Sequence, residues 1–268
     1  MDPNFEIFLL CVMLGSIVGV FAGLLGIGGG LLIVPAMVFL LHFFLQLDIE
    51  IGMTIAIATS LSTVIMTGLS SARSHYKLGN LDKRIITYCA FGIAIGATLG
   101  AQFASFISGV LLQRIFAVLV ILIALQMVFG SRKASQHTIG KPGLGGIGAT
   151  TGFICALMGI GGGALIVPAL MWFQVNIRKA IGCAAFSGVI VAVFGTLNFV
   201  IIGWKNPDLP EWSLGYVYLP ATLGIIATSM LTAPIGVKLG QKLDTAKLKK
   251  VFAAFLVLVS IRMIIGIE

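Results

Sequence analysis

Charged residues are scarce in this sequence, and acidic residues are the scarcest among them. Only 10% of the 268 residues are charged, and nine are Asp or Glu, whereas a soluble domain carries roughly 25% charged residues. The acidic residues lie in short polar connections or near the ends of the chain, and none lies inside a long apolar run. Intramembrane carboxylates usually act as proton relays or cation partners. Their absence argues against a transporter of Na⁺ or metal cations.

Patterns typical of catalytic and metal sites are also missing. The four cysteines, Cys11, Cys89, Cys155 and Cys183, stand in apolar segments without metal or redox spacing, so we interpret them as reduced core residues. No Ser-His-Asp, Cys-His or paired-carboxylate pattern occurs. The sequence therefore predicts a protein that is not an enzyme and has no cofactor and no metal site.

Apolar residues are abundant, at 59% of the chain. Runs long enough to cross about 30 Å of hydrocarbon occupy residues 53–72, 85–105, 111–129, 180–203, 216–237 and 250–267. We therefore predict an all-α polytopic membrane protein that lies in a lipid bilayer.

A five-residue glycine motif occurs twice. Residues 26–30 (Gly-Ile-Gly-Gly-Gly) recur at 159–163, and each copy continues into an apolar run that contains Val-Pro. The first copy separates segment 7–25 from 31–46, and the second separates 143–158 from 163–174. Glycine interruptions at matching places in two halves are the best sequence pointer to a transporter's binding site.

The arms around these motifs predict hairpins. At 1.5 Å per residue, segment 163–174 reaches only about 18 Å, too short to cross the bilayer comfortably. We therefore expect each motif to form the tip of a re-entrant or short broken helix hairpin. The opening arm, 7–25, is long enough to span alone, which leaves a full crossing open there.

Basic residues predict the topology. Most of the 17 Lys and Arg residues fall in four connections, near residues 73–84, 132–141, 178–179 and 238–250. By the positive-inside rule these connections are cytoplasmic, which explains the net charge of +8 without a nucleic-acid partner. The remaining connections and both termini are predicted to be external.

Counting crossings then predicts an inverted structural repeat. Each half contains one glycine-tipped hairpin and three transmembrane helices, and three is odd, so the halves enter from opposite faces. We expect an N-terminal repeat over residues 1–130, a cytoplasmic linker over 131–142 and a C-terminal repeat over 143–268.

The glycine tips suit an anion. The helix after each motif begins with unpaired N–H groups at the positive end of its dipole, which can bind an anion without a charged side chain. We predict substrate binding at the motif glycines: Gly26, Gly28, Gly29, Gly30, Gly159, Gly161, Gly162 and Gly163. The alternative is that these glycines only allow close helix packing, as we expect for Gly92, Gly96 and Gly100.

Polar side chains near the tips are further candidates. Thr59, Ser60, Ser187 and Asn198 are predicted to contact the substrate, although each of the three hydroxyls could instead bond to its own helix. Asn198 is the stronger candidate, because an apolar helix seldom keeps an amide without a partner. His75 lies just before Tyr76-Lys77, where its predicted span leaves the membrane on the cytoplasmic side. It is a candidate gate or proton carrier because histidine changes charge near neutral pH. A plain interfacial histidine is the alternative.

At these motifs the sequence resembles the sulfite exporter TauE/SafE family of bacterial membrane permeases. The resemblance rests on the doubled glycine motif with its following proline, on Ala58-Thr59-Ser60 and on His75-x-x-x-Gly79-x-Leu81-Asp82. It implies transport of small sulfur-containing anions across the bacterial cytoplasmic (inner) membrane. The second half departs from the pattern, since it has Gly182-Cys183-Ala184 and Phe199 at the matching positions.

These observations together predict a secondary transporter that exports sulfite or sulfonates such as sulfoacetate by alternating access. A passive small-anion channel and a non-transporting membrane scaffold remain the alternatives. A homodimer is an open possibility for its assembly.

Overall fold

The computed structural model describes residues 3–26, 28–129, 140–242 and 245–265, and within them the chain is almost entirely helical. The helices are α1 (Pro3–Leu25), α2 (Gly30–Leu45), α3 (Ile49–Lys77), α4 (Lys83–Phe106), α5 (Gly109–Phe129), α6 (Lys141–Leu157), α7 (Gly163–Trp172), α8 (Ile177–Gly203), α9 (Leu219–Lys242) and α10 (Thr245–Ile265). Residues 131–139 of the predicted linker lie outside the described residues.

Six helices in the described part of the chain are long and apolar enough to cross a membrane: α1, α3, α4, α5, α8 and α9. Five of these correspond to predicted spans, which confirms an all-α polytopic membrane protein. The predicted span 250–267 corresponds to α10, whose apolar stretch Phe252–Met263 is shorter. Helix α1 has a 22-residue apolar stretch, long enough to cross alone, as the alternative for arm 7–25 allowed.

One small departure from an all-helical chain precedes α9. Strands β1 (Ser213–Leu214) and β2 (Val217–Tyr218) form an antiparallel hairpin. Tyr216 N–H donates to the carbonyl of Phe199 at 3.3 Å, so the hairpin covers the end of α8. Gly215 has φ 55°, which allows the tight turn between the strands.

Glycines join two helix pairs backbone to backbone. A Cβ added at Gly92, Gly96 or Gly100 of α4 would overlap a main-chain carbonyl of α6. Gly15, Gly19 and Gly23 of α1 lie in the same way against α9. The predicted close packing of Gly92, Gly96 and Gly100 is therefore confirmed, and α1 with α9 forms a second pair of the same kind.

The remaining contacts place α3 and α8 at the centre. They pack against each other, α3 also packs against α9, and α8 also packs against α4. Helix α2 packs on α3, α7 packs on α8, and α5 packs against α10. If α1–α5 are matched in order with α6–α10, each of these contacts has an equivalent in the other half. For example, the contact of α2 with α3 matches that of α7 with α8.

Candidate functional site

The first glycine motif forms a sharp bend, which we call the first elbow (Gly26, Gly28, Gly29 and Gly30). Gly26, Gly28 and Gly29 have φ of 68°, 74° and 82°, a region that side chains other than glycine rarely adopt. Gly29 precedes α2 and its carbonyl accepts from Leu32 N–H at 3.0 Å. Glycine is therefore required by conformation at three positions of this elbow.

The second elbow, residues 159–163, reverses the chain differently. Gly159 has φ 68°, and Ile160 N–H donates to the Cys155 carbonyl at 2.9 Å, as in a Schellman cap at the end of α6. Gly162, however, has φ −51° and is right-handed. At Gly162 the limit is space, because an added Cβ would lie 2.9 Å from Ile166 Cδ1 and 3.3 Å from Gly188 N.

The two elbows touch each other. A Cβ added at Gly28 would lie 2.8 Å from the Cα of Gly161, and one added at Gly30 would overlap the carbonyl of Gly159. The structure therefore brings the two glycine motifs together, although 133 positions separate them in the numbering. Helices α2 and α7 both begin at this contact.

Each elbow also rests on the central helix of the other half. Gly26 lies against Ile181 of α8, and Gly159 lies against Ile57 of α3, with an added Cβ 2.8 Å from Ile181 Cγ2 and 2.9 Å from Ile57 Cα. At both positions the atoms nearest to the added Cβ include main-chain atoms as well as side-chain atoms. The elbows are consequently held between α3 and α8.

Ser60 is bonded to the second elbow. Its hydroxyl donates to the carbonyl of Gly159 at 2.7 Å, and the side chain is fully buried. The matching residue of the second half is Ala184, which has no hydroxyl to donate. In this conformation Ser60 therefore positions the elbow.

Thr59 and Cys183 perform matching structural tasks. Thr59 Oγ1 accepts from Tyr218 N–H at 3.0 Å, and Cys183 Sγ accepts from Asp82 N–H at 3.3 Å. Tyr218 and Asp82 immediately precede α9 and α4. Each side chain therefore fixes the start of a helix, which explains why a cysteine can replace the threonine in the second half.

Ser187 and Asn198 differ in their distance from the elbows. Ser187 is buried, and its main-chain carbon would lie 3.5 Å from a Cβ added at Gly162, so it adjoins the second elbow. Asn198 donates its amide to the carbonyl of Phe194 at 2.8 Å. Its amide nitrogen therefore has a partner within α8, and substrate contact by Asn198 stays a prediction.

His75 is buried near the end of α3, with 6% of its surface exposed. Asn80 Nδ2 lies 3.4 Å from its Nδ1, and its Nε2 has no hydrogen-bond partner among the described residues. Gly79, with φ 68°, ends the helix, and Asn80 N–H donates to the His75 carbonyl at 3.0 Å. The spacing of the His75-x-x-x-Gly79 motif therefore builds a helix cap that carries Asn80 back to the histidine ring.

Ser71 is a site residue that the sequence analysis missed. It is 2% exposed, and its hydroxyl has no partner among the described residues. A polar residue at every fourth position of α3 could have indicated Ser71, because the series Thr59, Thr63, Thr67 continues with Ser71 and then His75. The sequence alone did not show which of these hydroxyls bond within the protein.

A small cavity adjoins the first elbow. Gly26, Gly28, Gly68, Ser71 and Gly188 are among the residues that line it, and its volume is about 10 Å³. That is space for about one water molecule. An anion with several heavy atoms can enter only if the elbows or the central helices separate.

A much larger groove, of about 650 Å³, lies between α1, α2 and α10. Its lining is apolar apart from Arg262, so its chemistry does not suit a small anion held by several donors. Among the described residues no cluster of His, Cys, Asp or Glu could hold a metal ion. The elbow region is therefore the better candidate site.

Comparisons with known proteins agree with a membrane transporter. The family profile described as Sulfite exporter TauE/SafE matches residues 11–263. A probable membrane transporter protein of Haemophilus influenzae is 40% identical, with 97% of this chain and 98% of that protein covered. Probable membrane transporter proteins of Methanocaldococcus jannaschii (27% identical, 94% and 95% covered) and Bacillus subtilis (YunE, 26% identical, 96% and 97% covered) are also similar.

No solved structure matches the chain. The family match covers most of its length and includes both elbows, α3 with its His75 motif and the second-half counterparts of these elements. The chain belongs to the sulfite exporter TauE/SafE family.

Proposed function

We propose that this protein is a secondary transporter that exports small sulfur-containing anions, such as sulfite or sulfonates including sulfoacetate, across the bacterial cytoplasmic membrane. The observation that carries the proposal is the direct contact of the two glycine elbows at the start of α2 and α7. Two helix N-termini at one place supply main-chain N–H donors and two positive dipole ends. The main-chain groups of Gly28–Gly30 and Gly161–Gly163 are the proposed anion ligands.

The charge of the described chain favours an anion over a cation. No acidic residue lies inside α1–α9 beyond their first turns, so no carboxylate is available to pair with a cation in the bilayer interior. An anion that leaves a cell with a negative interior gains about 2.3 kcal/mol per charge per 100 mV. Export therefore needs no coupling carboxylate.

We further infer that the two halves, residues 1–130 and 143–268, form an inverted repeat around the elbows. The exchange of α1–α5 with α6–α10 preserves the main helix contacts, which supports equivalent halves. The contacts of Gly26 with Ile181 and of Gly159 with Ile57 support the same equivalence between individual residues. Together with the basic connections, this arrangement favours alternating access around one central site.

A passive channel is the second candidate, and the closed elbows argue against it. A cavity of about 10 Å³ offers no continuous path for sulfite, so each passage requires the protein to change conformation. Saturable flux below about 10³ per second, the usual range of turnover numbers, is the expected result for a carrier.

The proposal is tested by flux in proteoliposomes that contain the full chain. Sulfite, sulfoacetate, thiosulfate and acetate are each supplied over a range of concentrations. We expect saturable flux of sulfite or sulfoacetate. Gly162→Val should abolish it, because a branched side chain would fill the space between the second elbow and Gly188.

Gly146→Val is the matched control. Gly146 is an exposed glycine of α6, and nothing lies within 4 Å of an added Cβ, so this variant should transport normally. Wild-type flux in a folded Gly162→Val protein would remove the second elbow from the site. Absence of flux for every sulfur anion, combined with tight binding to a partner protein, would favour the scaffold alternative.

A further inference from the structure

Ser71 differs from the hydroxyl residues around it. Thr67 donates to the carbonyl of Thr63 at 3.0 Å, Ser74 donates to that of Ser70 at 3.0 Å, and Ser70 donates to that of Met230 at 2.8 Å. Ser71 is more than nine-tenths buried and makes no hydrogen bond within the described chain. Buried polar atoms are rarely left unpaired, so a free hydroxyl that faces a cavity indicates a ligand.

The position of Ser71 connects it to the elbows. Its side chain lines the cavity that Gly26 and Gly28 also line. His75 follows one turn later on the same face of α3, at a spacing that places Cβ atoms about 5–6 Å apart. The two residues therefore form a polar strip that runs from the elbow cavity toward the Lys77 end of α3.

The contact with Asn80 is the basis on which we assign the tautomer of the imidazole. An amide nitrogen can only donate, so Nδ1 of His75 accepts from Asn80 Nδ2 at 3.4 Å. With Nδ1 as the acceptor, the proton of the neutral ring lies on Nε2, which is buried and makes no direct hydrogen bond in the described chain, while the imidazole interacts with the main chain of Gly23. Ser71 therefore presents an unused donor to the cavity, and His75 presents an Nε2–H donor near the Gly23 main chain, three residues before Gly26.

We propose that Ser71 Oγ–H and His75 Nε2–H form a second subsite for a small oxyanion, one step from the elbows toward the Lys77 end of α3. This inference rests on the proposed function and extends it, because it assigns a place where the anion binds before or after the elbows. Two neutral donors match an anion with several acceptor oxygens, such as sulfite or a sulfonate head. Without a positive side chain they bind it weakly enough to release it.

The test compares sulfite KM in proteoliposomes for variants that remove one donor each. Ser71→Ala loses no hydrogen bond of the fold and should remain folded, and His75→Leu removes the imidazole. Each should raise KM about tenfold, the usual effect of removing one donor to a charged group. His75→Gln, which retains an N–H donor, should restore KM to near the wild-type value.

Ser74→Ala is the matched control, because the Ser74 hydroxyl is satisfied within α3, and it should leave KM unchanged. Wild-type KM in both Ser71→Ala and His75→Leu would overturn the subsite, as would a fall in kcat alone in both. Stabilisation of the detergent-solubilised variants by sulfite provides a second measurement that needs no transport.

These measurements separate the two proposals. Wild-type protein that sulfite stabilises but does not cross the bilayer would contradict transport alone, and the subsite would still be tested by the loss of stabilisation in Ser71→Ala. Stabilisation that is equal in wild type, Ser71→Ala and His75→Leu, or absent in all of them, would overturn the subsite. Transport blocked by Gly162→Val with unchanged KM in both donor variants would leave the elbows as the only site.

Discussion

Thr59 shows how a polar side chain inside a helix can serve the fold. Its Oγ1 accepts the N–H of Tyr218 at 3.0 Å, and both residues are fully buried. Thr59→Val would keep the shape and leave that N–H without an acceptor. We expect the free energy of unfolding to fall by about 1–3 kcal/mol, measured by thermal or denaturant unfolding in detergent.

Cysteine provides the matched variant at the same position. Because Cys183 accepts the N–H of Asp82 in the corresponding place, Thr59→Cys should retain most of the stability that Thr59→Val loses. Sulfite KM should stay near the wild-type value in both. A stable Thr59→Val protein with a raised KM would instead return Thr59 to the ligand-binding role that the sequence analysis predicted.

Single residues could be located from the sequence better than their tasks could be assigned. The duplication identified the glycines correctly as special, but Gly29 needs a left-handed φ whereas Gly162 needs only space. The partners of Thr59 and Ser60 lie 159 and 99 positions away, which no local pattern shows. Substrate contact by the predicted site residues stays a prediction.

At the scale of one element, α4 depends on its glycine row. Gly96 lies against the carbonyl of Ala149, and the nearby atoms are main chain, which cannot rotate away as a side chain can. Gly96→Val should therefore force α4 away from α6. We expect a loss of about 1–3 kcal/mol or more in stability, seen as a lower Tm and less monodisperse protein.

The control for this interface is Gly146→Ala. Gly146 belongs to α6 but faces open space, so alanine should leave Tm unchanged or raise it, since alanine favours helix over glycine. If Gly96→Val kept the wild-type Tm, α4 and α6 would have to be farther apart in the membrane than the structure places them.

Helix positions followed from hydropathy, whereas some helix ends and the hairpin did not. Asp82 accepts from Arg84 N–H at 3.0 Å and Asn176 from Arg178 N–H at 2.9 Å, and such caps could be recognised in sequence. The 213–218 hairpin could not, because two-residue strands carry no periodicity. They depend on packing against α8, as the bond from Tyr216 to Phe199 shows.

For the whole molecule, the contacts suggest which parts move together. Main-chain contact along α1 with α9 and along α4 with α6 leaves little room for sliding within either pair. The contact between α3 and α8 near the elbow cavity is looser, since a Cβ added at Gly68 meets only Val189 Cγ2 at 3.0 Å and more distant atoms. We therefore expect access to the elbows to open by separation of α3 from α8.

A disulfide between α3 and α8 tests this motion. In Gly68→Cys/Val189→Cys the new side chains would be close enough to bond, and oxidation should stop sulfite flux while reduction restores it. Leu24→Cys/Gly240→Cys is the matched control within the α1–α9 pair, where an added Cβ lies 3.6 Å from Leu24 Cα, and its oxidation should leave flux intact. Full flux through an oxidised Gly68→Cys/Val189→Cys protein, with the disulfide confirmed by mass spectrometry, would mean that α3 and α8 stay together, and the anion would need another route to the elbows.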